Sequence, residues 1–361
     1  MKLCILNAEQ NMHGKIFPGR THLVTGTIGA MLKQAEYAVK AGHEVYWLGN
    51  TENGQALGIT FFDDWRNGAG RFGPFDITVA FGASCVQGWP TGIYIVDCQV
   101  GSPPMNYASL PYVDAVQLHS DFQANLLLRG GWVMAEKLYI VPNGLDPHIF
   151  YPPPEPQANL DIIYTSSPDR GLHHLLKSVQ ILRERGRDVR LHVFYEVEAW
   201  CKDVWWMHDY AAIIARELME GIKQPWVIFH GPRPHTEVAE ALRSCTLFTY
   251  PCDTLSPAET FCTAIIEAMA CGCTTLLSPG DCIPSLYGEV SPLLPKPIDV
   301  EQWADAIEQL LVSDERRTWR ARQIEFARQY EWDKIAPLWE ENYTRLLGGV
   351  NDGEVTTGVT A

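Results

Sequence analysis

Residues 257–272 read PAETFCTAIIEAMACG, with Glu259 and Glu267 as a Glu-x7-Glu pair. Ile265, Ile266, Met269 and Ala270 give this stretch an apolar surface, and they predict a helix that starts at Thr260 or Phe261. Gly272 stands where a helix end favours a residue free to take positive φ. Glu267 falls inside the apolar helix, and Glu259 lies in the loop before it. A carboxylate among apolar neighbours is costly unless hydrogen-bond donors reach it, and sugar and ribose hydroxyls are such donors. The helix N-terminus offers unpaired backbone N–H groups and a partial positive charge, which suit a phosphate. At a helical rise of about 1.5 Å per residue the two carboxylates are at most roughly 12 Å apart. That span fits a diphosphate flanked by a sugar and a ribose. A half-exposed helix glutamate and an acid placed for the helix dipole would give the same pair, so the flanking sequence decides.

The flanks are FHGPRPHTEVAEALRSCTLFTYPCDTLSPAETFCTAIIEAMACGCTTLLSP, residues 229–279. They read as a strand ending in Gly231, a helix, a strand ending at Pro251, the Glu-x7-Glu pair, Ala-Met-Ala-x-Gly, and another apolar strand. This order resembles the donor-binding half of the retaining family 4 glycosyltransferases (glycosyl transferases group 1). The resemblance implies an α/β chain of GT-B fold: two Rossmann-like doubly wound domains facing a central cleft.

Length and composition agree with two domains. The chain has 361 residues, 46% of them hydrophobic and 20% charged, enough for two full cores. A net charge of −15 argues against nucleic acid, whose phosphates are bound mainly through Lys and Arg. It also argues against bulk electrostatic docking on an anionic membrane. Of the ten cysteines only Cys271 and Cys273 are close together, and no His or Cys pair accompanies them at zinc-finger spacing. They read as buried free thiols in a reducing compartment, so a cytoplasmic location is expected. The opening MKLCILNAEQ has too short an apolar run for a signal peptide, and no stretch reaches the roughly 20 apolar residues of a membrane span.

In the first half, strand 1–7 is followed by a glycine-containing stretch, a helix that stops at Gly42 and strand 44–48, a unit that yields parallel strands. Gly26 and Gly29 are read as lying just before the helix, where backbone N–H groups could approach a phosphate or an acceptor. Strands follow at 76–81, 93–96 and 115–118. Asp97, His119 and Ser120 are candidates by position, because ligands of doubly wound sheets sit beyond the strands' carboxyl ends. Ser120-Asp-Phe-Gln123 also reads as a helix capping box. Asn143-Gly144 and four prolines at 152, 153, 154 and 156 mark a stiff crossing between domains. The expected division is 1–150 for the acceptor-side domain, 151–159 for the hinge and 160–333 for the donor domain. A helix over 334–348 returning to the first domain and a loose tail over 349–361 complete it.

The second half opens with strand 160–164, TSSPDRG and helix 172–182. Arg170 stands in the strand-to-helix loop, where a phosphate meets a helix N-terminus, and its guanidinium can hold two phosphate oxygens. Lys177 reads as a solvated helix residue. Further strands are expected at 189–195, 227–230, 247–250 and 274–278, and helices at 238–243 and 300–311. A Trp-rich stretch around 200–206 reads as core or as a helical flap. A closing amphipathic run carries a stripe through Trp332, Ile335, Leu338, Trp339, Tyr343 and Leu346 or Leu347.

The resemblance implies transfer of a sugar from a nucleotide-diphosphate sugar to a hydroxyl acceptor with retention of configuration. The acceptor is left open as a saccharide, a lipid-linked glycan or a small molecule. It assigns Glu259 to the sugar hydroxyls, the N–H groups of Thr260 and Phe261 to the phosphate, and Glu267 to the ribose diol. Arg170 is matched to a Lys-Gly pair on the diphosphate, with Ser167 in the same loop, and Gly231 and Arg233 to the base. Where the family has an upstream Arg in that loop, this chain has Ser166 and Ser167. The family's first-domain histidine follows an earlier strand, so His119 is only a weak counterpart. The family needs no Asp-x-Asp motif, so no metal and no cofactor are expected. Two alternatives stand beside this reading: another GT-B enzyme such as a nucleotide-sugar epimerase, or a non-catalytic sugar-nucleotide binder.

Overall fold

The computed structural model describes residues 1–8, 16–23, 26–81, 88–99, 111–131, 133–204, 209–254 and 257–349. The chain divides into two compact units. The first comprises 1–144, 257–261 and the chain from 332 on; the second comprises 145–256 and 262–331. Gly82 and Ala83 after Phe81, Trp205, Trp206, and the tail from 350 lie outside the described residues.

The first unit holds an eight-stranded sheet of β1 (Lys2–Leu6), β2 (Glu44–Leu48), β3 (Gly54–Ala56), β4 (Ile59–Phe62), β5 (Phe75–Phe81), β6 (Thr91–Asp97), β7 (Ala115–Leu118) and β8 (Leu138–Ile140). The strand order is β3-β4-β2-β1-β5-β6-β7-β8, parallel throughout except for the antiparallel β3–β4 edge. Parallel strands are covered on both faces and therefore read as unbroken apolar runs. Cys4, Ile5 and Leu6 of β1 are all fully buried. At roughly 1.5–3 kcal/mol for each large apolar side chain, such central strands dominate the favourable side of the unit's stability. β3, β4 and helix α2 (Trp65–Phe72) were not expected from the sequence. The Gly-Gln-Ala of β3 carries no alternation to read.

Helices α1 (Gly26–Lys40) and α3 (Asp121–Arg129) complete this unit's first part. The capping box forms at α3: Ser120 Oγ accepts from Gln123 N at 3.3 Å. The Gln123 side chain reaches one residue further back than in the simple motif and accepts from His119 N at 2.9 Å. The C-terminal helix Trp332–Leu347 lies on α1, where Gln34 Nε2 donates to Tyr343 Oη at 2.5 Å and Tyr37 Oη to Asp333 Oδ1 at 2.6 Å. Its apolar stripe is buried at Trp332, Ile335, Trp339 and Tyr343, while Leu347 at the helix end is exposed. The Trp332 ring covers Gly144, where a Cβ would stand 2.5 Å from the ring.

The second unit holds a five-stranded parallel sheet of β9 (Asp161–Tyr164), β10 (Arg190–Val193), β11 (Val227–Phe229), β12 (Leu247–Tyr250) and β13 (Thr274–Leu277), in the order β11-β10-β9-β12-β13. Its helices are α4 (Leu172–Glu184), α5 (Val197–Val204), α6 (Asp209–Gly221), α7 (His235–Ser244), α8 (Thr263–Ala270), α9 (Ile283–Tyr287), α10 (Val300–Val312) and α11 (Glu315–Ala327). Asp299 caps α10 by accepting from Glu301 N at 3.0 Å and Gln302 N at 3.3 Å. Asp161 at the start of β9 takes the Arg190 guanidinium through two bonds of 2.8 and 2.6 Å, tying β9 to β10.

Candidate functional site

In the five-stranded sheet the winding reverses between β9 and β12, and ligands of doubly wound sheets bind beyond the carboxyl ends of the strands at that point. Two loops meet there: 165–171 after β9 and 251–254 after β12. The first is tightly held. Tyr164 Oη donates to Ser167 O at 2.7 Å, and Ser166 Oγ lies 3.0 Å from Tyr250 Oη. Ser167 Oγ donates to Asp169 Oδ1 at 2.5 Å, and Asp169 Oδ2 lies 3.1 Å from Arg170 Nη1. Asp169 thus orients both the Ser167 hydroxyl and the Arg170 guanidinium. Gly171 starts α4 with φ +90°, and a Cβ there would lie 1.9 Å from Pro251 O. Only glycine lets the two loops' backbones approach so closely.

Glu267 lies on α8, in a run from Ile265 to Ala270 that is buried at every residue. It is 8% exposed. Among the described residues its carboxylate has no hydrogen-bond or ion-pair partner, and burial pushes its pKa from 4.5 up to about 8. A donor that reaches this carboxylate therefore gains a strong charge-assisted bond. The helix ends as the sequence predicts, with Gly272 at φ +79°. Its start differs. Cys262 has φ +59°, so the helical run opens at Thr263 and not at Thr260 or Phe261. A left-handed cysteine carries no sequence signal of the kind a glycine gives.

Residues 257–261 belong with the first unit. Glu259, Thr260 and Phe261 are buried there, and Thr260 Oγ1 donates to Gln99 O at 3.2 Å. Gln99 in turn donates from Nε2 to Asp97 Oδ2 at 2.9 Å and accepts at Oε1 from Asn143 Nδ2 at 3.1 Å. His119 Nε2 meets Asp97 Oδ1 at 2.9 Å, and its Nδ1 meets Val141 O at 2.9 Å. Both His119 nitrogens face protein oxygen atoms, so the ring serves this buried network. Through Gln99 the network fixes where Thr260, and with it Glu259, stands.

The remaining candidates are more open. Gly26 and Gly29 are part of α1 itself, within its first turn, rather than ahead of it. A Cβ at Gly26 would meet nothing within 4 Å. Gly231 has φ +68° and is equally unobstructed. Arg233 is exposed and pairs with Glu237 at 3.4 Å on α7. Lys177 is an exposed partner of Glu217 at 2.8 Å, as its solvated reading expects.

Sequence reasoning passed over three side chains at the switch point. His174 Nε2 lies 2.7 Å from Asp253 Oδ2, and the His173 and His174 rings are 3.9 Å apart between centroids. The His-His doublet directly after Arg170-Gly171 was the available signal. Its third member lies 79 residues from His174 and is brought there only by the fold.

Residues 161–313 match the family of glycosyl transferases group 1. No curated protein sequence matches the chain. Among solved structures, sucrose-phosphate synthase from Thermosynechococcus elongatus is similar with a TM-score of 0.72 at 16% identity, over 97% of this chain and 100% of that one. HepE from Anabaena, in complex with UDP and glucose, has a TM-score of 0.68 at 14% identity, over 95% of this chain and 99% of that one. A glycosyltransferase from Rickettsia africae has a TM-score of 0.71 at 13% identity, over 97% of this chain and 99% of that one. The match to the glycosyl transferases group 1 over residues 161–313 and the fold of these neighbours agree: the chain is similar to that group over its second half and has the GT-B fold.

Proposed function

We propose that this protein transfers a sugar from a nucleotide-diphosphate sugar to an acceptor hydroxyl with retention of anomeric configuration. The observation that carries the reading is Glu267, a buried carboxylate with no partner among the described residues, within the region that matches the family. A ribose diol supplies the two donors it lacks. HepE, one of the similar structures, was solved in complex with UDP-glucose, which supports the same class of donor here.

In this proposal Glu267 holds the ribose and Glu259 holds hydroxyls of the transferred sugar. Backbone N–H groups of Thr260 and Phe261, the Ser167 hydroxyl and the Arg170 guanidinium take the diphosphate, and Gly231 and Arg233 line the base. The bond from the anomeric carbon to the leaving phosphate breaks as the acceptor oxygen bonds to the same face. The acceptor's proton passes to the departing phosphate oxygen, so no protein base is required. Arg170, oriented by Asp169, stabilises the charge that develops on the diphosphate. The transfer proposed here uses no metal and no cofactor. The acceptor is a hydroxyl compound that the first unit would select, with Gly26 and Gly29 as its weaker candidates; His119, whose two nitrogens face Val141 and Asp97, would act there only through the network that holds Gln99 and Thr260. A reducing, cytoplasmic setting belongs to the same proposal: Cys4, Cys201, Cys245, Cys271 and Cys273 are buried thiols, and burial pushes those of Cys245 and Cys271 up to about 12.

Glu259→Gln is expected to lower transfer by at least about 100-fold, the loss typical when a group aimed at the reacting centre is removed. Nucleotide binding should persist in that variant. A radiolabelled-donor transfer assay reads the first quantity and calorimetry the second; wild-type transfer by Glu259→Gln would refute its role. A second reading is a sugar-nucleotide binder without transfer activity. It is favoured by Ser166 and Ser167 at the place of the family's upstream arginine, and it predicts nucleotide binding with no transfer to lose.

A further inference from the structure

We infer that His173, His174 and Asp253 form a site for one divalent transition-metal ion of the zinc class. His173 and His174 open helix α4, and Asp253 lies in the loop that follows β12. Among the described residues this is a group of metal-ligating side chains whose ligand atoms all lie within 4.8 Å of one another. Two imidazoles and a carboxylate are a donor set that suits zinc, with a fourth position left for water. Magnesium and calcium, which take oxygen ligands, suit it poorly.

The spacing is close to what such an ion requires. Tetrahedral bonds of about 2.0–2.1 Å put ligand atoms about 3.4 Å apart. His174 Nε2 and Asp253 Oδ2 are now 2.7 Å apart, as a hydrogen-bonded pair. The three ligand atoms, all within 4.8 Å of one another, need only settle at that tetrahedral separation to share one centre. The backbone is already set, because the Gly171 contact with Pro251 holds the two loops together.

A second observation points to a ligand. His173 is 4% exposed, yet its Nδ1 has no hydrogen-bond partner. A buried imidazole nitrogen left unpaired is destabilising, and coordination or a metal-bound water would satisfy it. His174 and Asp253 are 19% and 21% exposed, which leaves an entry path from solvent. The ion would act as a staple between the start of α4 and the loop after β12. This inference does not depend on the sugar-transfer reading, since the transfer proposed above uses no metal.

The test is a Co²⁺ titration of the full chain stripped with a chelator, in the absence of any nucleotide. The expected result is saturation at a single equivalent, with the visible bands of four-coordinate cobalt and no thiolate charge-transfer band. His174→Ala and Asp253→Asn should each weaken binding by about 100-fold or more, at least as much as losing an outer-sphere partner costs. Zn²⁺ should displace the cobalt and raise the melting temperature of the wild type but of neither variant. Circular dichroism checks that the variants fold, and Asp253→Asn alone carries the test if His174→Ala does not. Unchanged binding in the folded variants, a thiolate band that places the metal on cysteines, or no cobalt bound at all would each overturn the inference.

Discussion

Replacing Glu267 by glutamine is expected to make the ligand-free protein more stable at pH 8, with the difference vanishing near pH 4.5. Burial raises the Glu267 pKa from 4.5 to about 8 in the folded chain. Below pH 4.5 the carboxyl is neutral in both folded and unfolded states and carries no penalty. As pH rises the unfolded chain ionises while the folded one keeps its proton, so stability falls until the folded group ionises near pH 8. The full loss is at most roughly 5 kcal/mol, the free energy that corresponds to that pKa gap. Glutamine cannot ionise and escapes it. Melting curves from pH 4 to 9 should therefore converge at the acid end and separate by several degrees at the basic end. Identical pH dependence in the two proteins would show that Glu267 is not the buried acid. The same logic gives a binding signature. A ribose diol stabilises the ionised carboxylate, so nucleotide binding at pH 7 should release close to one proton, seen as a dependence of the calorimetric heat on the buffer. Glu267→Gln should release none.

Gly171→Ala is the second large effect. The residue's φ of +90° disfavours any side chain, and the new Cβ would stand 1.9 Å from Pro251 O and 2.6 Å from Pro251 C. Both contacts are backbone, so neither can move aside as a flexible side chain would. The two strand-end loops have to separate, which displaces Arg170 and opens the start of α4. A cost above about 4 kcal/mol is expected, at the upper end of what single substitutions do. It should appear as a melting point lowered by ~10 °C or more, with loss of nucleotide binding. Gly231→Ala is the control. It also has a left-handed backbone, at φ +68°, but its Cβ would meet nothing within 4 Å. Only the backbone strain of about 1–2 kcal/mol should remain. Equal stability losses in the two variants would contradict the loop-contact explanation.

Much of the fold was legible because parallel strands buried on both faces advertise themselves as apolar runs. The strands at Glu44–Leu48, Ala115–Leu118 and Leu247–Tyr250 fall on the bounds read from the sequence. The edge pair β3–β4 was not legible: three residues of Gly-Gln-Ala pair there through backbone alone, without a pattern of side chains. Glu267 could be singled out because a lone acid in an apolar helix is conspicuous locally. The start of that helix could not be placed, because Cys262 takes a left-handed conformation that only its surroundings impose. Asp253 escaped notice for another reason. Its meaning comes from His174, and the two meet only because β9 and β12 are neighbours in the sheet. His119 looked like a ligand residue by position, yet Asp97 and Val141 occupy both of its nitrogens, a pairing that strand order creates.

The most direct test of the nucleotide-sugar reading is thermal unfolding of the wild type and Glu267→Ala with UDP, GDP, ADP and their sugar conjugates. A ligand present at about 100 times its dissociation constant stabilises the folded state by roughly 2.7 kcal/mol. The expected result is that one nucleotide raises the wild-type melting temperature by several degrees and that Glu267→Ala loses the shift. Wild-type melting that no nucleotide changes, or a shift that survives in Glu267→Ala, would contradict it.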